Sequence, residues 1–187
     1  MPEKAKRKAV RLKARLASPN RRAVYPGSFD PVTYGHLDLI KRALTIFDEV
    51  VVAVAKNIGK TPCFTLKERV ELLKRATRSL KRVVVEAFDG LIVDYVREQK
   101  TNVVVRGLRM ISDFEYEFQM ALTNRKLDRE VETLFLMPSE NYAYLSSRLI
   151  KEASALGADV GDFVPPFVAE ALKRKLKSKG RQLILNP

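Results

Sequence analysis

The chain offers few soft or redox-active side chains: one cysteine (Cys63), one histidine (His36) and no tryptophan in 187 residues. A lone thiol excludes an internal disulfide, and a zinc site needs several Cys or His ligands that are not here to be grouped. Long apolar runs are also missing, since none approaches the roughly 20 residues that a helix needs to cross a bilayer. Residues 1–22 have no apolar core of the secretory type, so a cytoplasmic protein without a leader is expected. Acidic residues are scarce, 22 against 35 Lys and Arg, which leaves a net charge of +13.

That excess is unevenly placed. Residues 1–22 hold nine Lys and Arg against the single Glu3, or +8, so residues 23–187 supply only +5. A second basic run, Lys173, Arg174, Lys175, Lys177, Lys179 and Arg181, lies near the other end. Such runs are usually solvated tails or helix faces, and no aromatic-interleaved RNA-binding signature accompanies them. A nucleic-acid partner is therefore not expected.

The remaining composition, 46% hydrophobic and 30% charged, suits one α/β domain. Residues 1–21 form a basic extension with few apolar residues to bury, and mobility is expected there. The folded domain is read as 22–178 and a tail as 179–187. Within the domain, short β-branched runs at 23–25, 50–55, 83–87, 102–105 and 133–137 read as strands buried on both faces of a parallel sheet. Between them Leu37, Ile40 and Leu44 share one helical face. Thr65-Leu66-Lys67-Glu68 and Ser112-Asp113-Phe114-Glu115 both have the capping-box pattern. Residues 91–99 and 146–156 read as further helices, and a last one should follow Pro165-Pro166. Five βα alternations predict a single-domain, Rossmann-like, doubly wound five-stranded parallel sheet.

In such a sheet, ligands bind outside the carboxyl ends of the strands. Four loops meet that rule: the one leading to His36, residues 56–60, Arg106-Gly107-Leu108-Arg109, and residues 138–147. The first runs Tyr25-Pro26-Gly27-Ser28-Phe29-Asp30-Pro31-Val32-Thr33-Tyr34-Gly35-His36. A strand turning through glycines into a helix aims free N–H groups and a positive dipole end at one point, which suits phosphate. An imidazole in the first helical turn adds a donor there.

These strings, with Asp113-Phe114-Glu115-Tyr116-Glu117, Phe135-Leu136-Met137-Pro138-Ser139 and Leu145-Ser146-Ser147, resemble the bacterial phosphopantetheine adenylyltransferases of the nucleotidyltransferase superfamily. The likeness runs from about residue 22 to 172, and Thr33-Tyr34-Gly35-His36 matches the superfamily's T/HxGH signature. The resemblance implies the nucleotidyltransferase fold and adenylyl transfer from ATP to 4′-phosphopantetheine, with Mg²⁺ carried on ATP, in a homohexamer.

It also implies roles. His36 would be catalytic, donating to the α-phosphate while Gly35 permits close backbone approach. Ser28, where many relatives have Thr, would reach the phosphate of phosphopantetheine with Lys60 and Arg106, and Ile92 would line its apolar arm beside Leu91. Ser28 and His36 would also meet ATP, as would Phe29 through its backbone, joined by Gly107, Leu108, Arg109, Glu117 and the stretch Tyr142, Ala143, Tyr144, Leu145, Ser146, Ser147 and Arg148. No protein metal ligand is expected.

Structural duties compete for several of these residues. Lys60 fits an ordinary polar loop, and Leu91 and Ile92 an ordinary core face. Arg109 could pair with Asp113 or Glu117, Glu117 could be a surface residue, and Ser146 and Ser147 could be N-caps. Arg148 stands where the family often has serine, which leaves its contact open. Two other functions compete: transfer to a different phosphorylated acceptor such as nicotinamide mononucleotide, against which the Lys60 loop and residues 106–117 speak, and an RNA-binding module.

Overall fold

The computed structural model describes residues 21–56 and 62–179. Strands β1 (Arg22–Gly27), β2 (Glu49–Ala55), β3 (Val83–Phe88), β4 (Val103–Gly107) and β5 (Glu132–Leu136) form one sheet in the order β3-β2-β1-β4-β5, with every pairing parallel. Helices α1 (Tyr34–Ile46), α2 (Leu66–Thr77), α3 (Ile92–Glu98) and α4 (Ile111–Leu127) follow the first four strands, and α6 (Ser147–Ala155) and α7 (Pro166–Lys179) close the domain. The doubly wound sheet read from the βα alternation is present. One turn of helix, α5 (Glu140–Ala143), carries too few residues for any periodicity to announce it.

Alternation along the central strands explains their unbroken apolar runs. Ala23, Tyr25, Val50, Val52, Val54 and Val105 join one core with Leu39 and Ile40 of α1, Leu73 of α2, Ile150 of α6 and Leu172 of α7. Their neighbours Val24, Val51, Ala53 and Val104 face the other way, onto Val93 and Val96 of α3. Each fully buried valine contributes about 2 kcal/mol, so both faces hold the sheet in place. The edge strands depart from the expectation of two buried faces: Glu86 and Ala87 of β3 and Glu132 and Leu134 of β5 are exposed, because an edge strand has a neighbour on one side only.

Helix starts also diverge from the pattern in one place. At α2, Thr65 N–H donates to Glu68 Oε2 at 2.7 Å and Glu68 N–H to Thr65 Oγ1 at 3.3 Å, completing the expected capping box. The box expected at 112–115 does not form: α4 begins at Ile111, with Met110 as an N-cap lacking a side-chain bond. Ser112 therefore lies inside the first turn, not at the cap, and the acidic residue of that turn, Asp113, pairs with Arg109.

The strand order reverses at the β1–β4 seam, the switch point where open α/β sheets bind ligands. β1 and β2 stay in register from Arg22↔Glu49 to Gly27↔Val54, whereas β1 meets β4 through the single pair Val24↔Val104. Side chains bridge the gap: Arg106 Nη1 donates to Pro26 O at 2.7 Å, Thr101 Oγ1 to Arg22 O at 2.6 Å and Arg22 Nη1 to Gln99 O at 2.9 Å.

At the ends, Arg21 is exposed but tied to the fold, its backbone N–H and guanidinium donating to Asp48, and α7 runs through Lys179. Within the basic run, Lys175 is partly buried and pairs with Glu68 at 2.6 Å, so the run is not wholly a solvated face. Residues 1–20 and 180–187, where the mobile extension and most of the tail were expected, lie outside the described residues. So does Lys60. Among the described residues no helix is long and apolar enough to cross a membrane.

Candidate active site

The turn after β1 owes its shape to residues that sequence patterns mark only in part. Phe29 adopts φ 48°, a left-handed conformation that costs a bulky residue energy and collects at functional sites. Its ring is buried, edge-on to Tyr25 at 5.4 Å and to His36 at 5.0 Å between centroids. Thr33 then caps α1. The His36 backbone N–H donates to Thr33 Oγ1 at 3.4 Å, and the Thr33 N–H donates to His36 Nδ1 at 3.0 Å. Thr-x-Gly-His is thus a capping box in which histidine does the job of glutamate.

That bond has a chemical result. With Nδ1 accepting a backbone proton, the neutral ring carries its own proton on Nε2. Burial, and then the positive charges of Arg109 and Arg106, lower the His36 pKa from 6.5 to about 4. The side chain is therefore a fixed neutral donor near pH 7. Burial also pushes the adjoining Tyr25 hydroxyl above its ordinary range, more than Arg106 and Arg109 pull it down.

Two cavities meet at this turn. The smaller, about 210 Å³, is lined by Ser28, Phe29, Thr33, Gly35, His36, Gly107, Arg109, Tyr142 and Leu145 among others. The larger, about 520 Å³, is mostly apolar, with Phe88, Ile92, Val104, Met120 and Ala121 in its wall. Pro26, Gly27, Ser28, Arg106 and Glu117 line both. An anionic group placed at Ser28 and Arg106 would stand at the junction, with a neutral imidazole on one side and an apolar sleeve on the other.

Both arginines are held by carboxylates before any ligand arrives. Arg106 forms a fork with Glu117, Nε to Oε2 at 2.7 Å and Nη2 to Oε1 at 2.5 Å. Glu117 is 9% exposed, so the surface alternative for it fails. Arg109 forms its own fork with Asp113, both bonds at 3.0 Å, and donates to Leu145 O at 2.8 Å. Of the two partners weighed for Arg109, Asp113 is the one. A Cβ at position 107 would stand 2.4 Å from Leu39 Cδ1, so glycine there leaves the buried Leu39 side chain its place.

Other residues singled out from the sequence stand apart from these cavities. Leu108, Ala143, Tyr144, Ser146, Ser147 and Arg148 line neither. Ser146 is the N-cap of α6 by position but makes no capping bond, and Ser147 Oγ donates to Pro31 O at 2.9 Å. The N-cap duty read for their side chains is therefore not performed. Arg148 turns to solvent, 76% exposed, and pairs with Glu152. Leu91 is exposed whereas Ile92 faces the larger cavity.

Sequence reasoning missed one wall of the larger cavity. Tyr116, Met120 and Asn124 follow each other at four-residue spacing on α4. The signal was masked, since Phe114, Phe118 and Leu122, equally spaced and more apolar, lie exposed on another face. Three buried charges were missed as well: Asp30, Arg69 and Asp128, 5%, 2% and 8% exposed. Among the described residues no group of three or more His, Cys, Asp or Glu could hold a metal.

Comparison with known proteins fits this geometry. A cytidylyltransferase-like family model matches residues 24–153. The phosphopantetheine adenylyltransferase of Caldanaerobacter subterraneus subsp. tengcongensis is 54% identical over 155 residues, 83% of this chain and 97% of that one. That of Geobacter sulfurreducens is 54% identical over 163 residues, 87% and 99% of the two chains. In three dimensions, a bifunctional NMN adenylyltransferase/ADP ribose pyrophosphatase from Francisella tularensis, solved with AMP and a manganese ion, superposes with a TM-score of 0.65 at 15% identity. The match covers 89% of this chain and 52% of that one, and at such low identity it speaks for the fold alone. With the crevice at the switch point, the Thr-x-Gly-His cap and relatives matched almost end to end, this chain belongs to the phosphopantetheine adenylyltransferase family of nucleotidyltransferases.

Proposed function

We propose that the protein transfers an adenylyl group from ATP to 4′-phosphopantetheine, giving dephospho-coenzyme A and pyrophosphate. The observation that carries the reading is the pair of adjoining cavities whose shared wall is Ser28, Arg106 and Glu117. The larger, apolar one suits the pantetheine arm, and the smaller one, with His36 and Arg109, suits the triphosphate. A phosphate oxygen of the acceptor would then face the α-phosphorus of ATP. It forms the new P–O bond while the bond to the β-phosphate oxygen breaks, and pyrophosphate leaves with the electron pair. No covalent enzyme intermediate is needed, so catalysis rests on placement and on charge stabilisation.

Within that scheme His36 donates its Nε2 proton in a hydrogen bond to the α-phosphate as negative charge builds, and being neutral it does so without losing the proton. Arg106 neutralises the acceptor phosphate and Arg109 the ATP phosphates, since a guanidinium fork matches phosphate oxygens. The donors around the smaller cavity fit anions rather than a cation. Mg²⁺ accordingly belongs on the ATP phosphates, where it would offset their charge, with oxygen and water as its ligands. Lys60 is assigned to the acceptor phosphate, and the N–H groups opening α6 to ATP, on family resemblance.

The reaction is assigned to the cytoplasm and to a homohexamer. Self-association is supported by Ile111, Phe114, Phe118 and Leu122, which leave α4 with an exposed apolar face, Ile111 at 91% exposure. Solvent-exposed rows of this kind mark contact surfaces. The decisive experiment is pyrophosphate release from ATP with each of two acceptors. Release with 4′-phosphopantetheine and none with nicotinamide mononucleotide is expected, and the reverse would overturn the assignment.

A further inference from the structure

Behind the catalytic turn lies a buried charge cluster that neither cavity touches. Asp30 Oδ2 accepts the Cys63 N–H at 2.9 Å and Lys151 Nζ at 2.7 Å, and Oδ1 accepts the Phe64 N–H at 2.9 Å. Next to it, Arg69 Nη1 donates to Ser28 O at 2.6 Å and to Ala55 O at 2.9 Å. Arg69 and Asp30 attract each other, and burial lowers the guanidinium pKa more than that attraction raises it. A third link, Ser147 Oγ to Pro31 O, ties the same turn to α6.

The grip is one-sided. Its donors, Arg69, Lys151, Cys63 and Phe64, line neither cavity, whereas Ser28, Phe29 and Thr33, which they hold in place directly or through Asp30, line the smaller one. Burying an ion pair is costly when bonds through the backbone alone could anchor a turn. What a charged, multiply bonded carboxylate adds is a single geometry, and reacting groups must be held within about 1 Å to keep their rate. Phe29, in a left-handed conformation between Ser28 and Asp30, is the residue such a clamp would have to restrain.

We propose that Lys151 is a positioning residue, acting through Asp30 to hold the turn Ser28–Thr33 so that Ser28 stays at the junction of the cavities and Thr33 keeps His36 in register. The proposal rests on the adenylyl-transfer reading for its kinetic consequence but not for its structural one. Lys151 contacts no part of the cavities, and its side chain is 21% exposed against 6% for Asp30. Removing its charge should therefore disturb the turn without removing a ligand contact.

The test compares Lys151→Met and Lys151→Arg with the parent in the full chain. In Lys151→Met, kcat should fall tenfold or more while KM for ATP and for 4′-phosphopantetheine stay within threefold, and Lys151→Arg should return kcat to within threefold of the parent. Because the chain has one histidine, ¹⁵N-histidine labelling of untagged protein yields one pair of ring signals, readable without any substrate. The parent should show a protonated Nε2 and an acceptor Nδ1, and Lys151→Met should move both toward the averaged shifts of a mobile ring. If Lys151→Met does not refold, Lys151→Gln takes its place with the same readouts. Parent-like kcat with parent-like ring signals would overturn the proposal, as would a Lys151→Arg protein no better than Lys151→Met. If the parent releases no pyrophosphate with this acceptor, the functional reading fails instead, and the ring signals alone decide the clamp.

Discussion

Protonation of His36 offers the sharpest check on the site. In the unfolded chain an imidazole titrates near 6.5, and in the folded protein near 4, because burial and two arginines oppose a charge on the ring. Between those values the unfolded state binds the extra proton and the folded state does not. Stability must therefore rise with pH across that window. The contribution is complete above about pH 6.5, fades as pH falls, and is gone below about pH 4. At about 1.4 kcal/mol per pH unit, the gap amounts to roughly 3 kcal/mol, a large share of the 5–15 kcal/mol typical of a domain. The perturbation is His36→Gln, which can keep the capping bond to the Thr33 N–H but cannot titrate. Urea unfolding of both proteins at intervals from pH 7.5 to 4.5 should show the parent losing about 2–3 kcal/mol more than the variant on the way down. Ring ¹⁵N shifts of the parent, followed over the same range, give the titration directly. A midpoint at 6 or above, or parallel stability curves for the two proteins, would refute the argument that burial and the arginines keep this ring neutral.

Two further substitutions probe the walls. Glu117→Gln keeps one acceptor for Arg106 but removes the countercharge, so a loss of about 2 kcal/mol is expected, read as a melting temperature lower by roughly 6 °C, and a drop of less than 1 °C would show that the fork contributes nothing. Gly107→Ala puts a methyl 2.4 Å from Leu39 Cδ1, so Leu39 must change rotamer at about 1–2 kcal/mol, and an unchanged urea midpoint would mean that the contact relaxes freely.

Much of the fold was legible because its rules are local. The central strands are valine-rich on consecutive positions, and that is what a strand covered on both faces looks like. β3 and β5 read the same way but are edges, and edge position is a property of the sheet order, which no single strand encodes. The 112–115 capping pattern misled for a related reason: the helix starts at Ile111, so Ser112 lies inside its first turn rather than at the cap, a start set where the loop after β4 folds back and Arg109 pairs with Asp113. His36, Arg106 and Arg109 were visible in motifs. Glu117 was equally visible, yet its burial and its fork with Arg106 depend on α4 packing back against β5 and α3. Asp30 sat inside a motif that had been read for its glycines and its histidine, so its carboxylate passed unweighed. Arg69 offered no signal at all, because a lone arginine in a helix of alternating charges looks like solvent-facing decoration until its carbonyl partners, Ser28 and Ala55, are brought beneath it.

The seam between β1 and β4 bears on how any experiment on Arg106 should be interpreted. That side chain stitches two strands that share one register pair, and it also faces the space where phosphate is proposed to sit. Cutting it off would loosen the sheet as well as the grip on a ligand. Thr101, at the other end of the same seam, lines neither cavity, so the damage caused by Thr101→Val measures the slackened fabric alone. What an Arg106 variant loses beyond that combines recognition with the stranding of Glu117, and the Glu117→Gln protein measures the second of these.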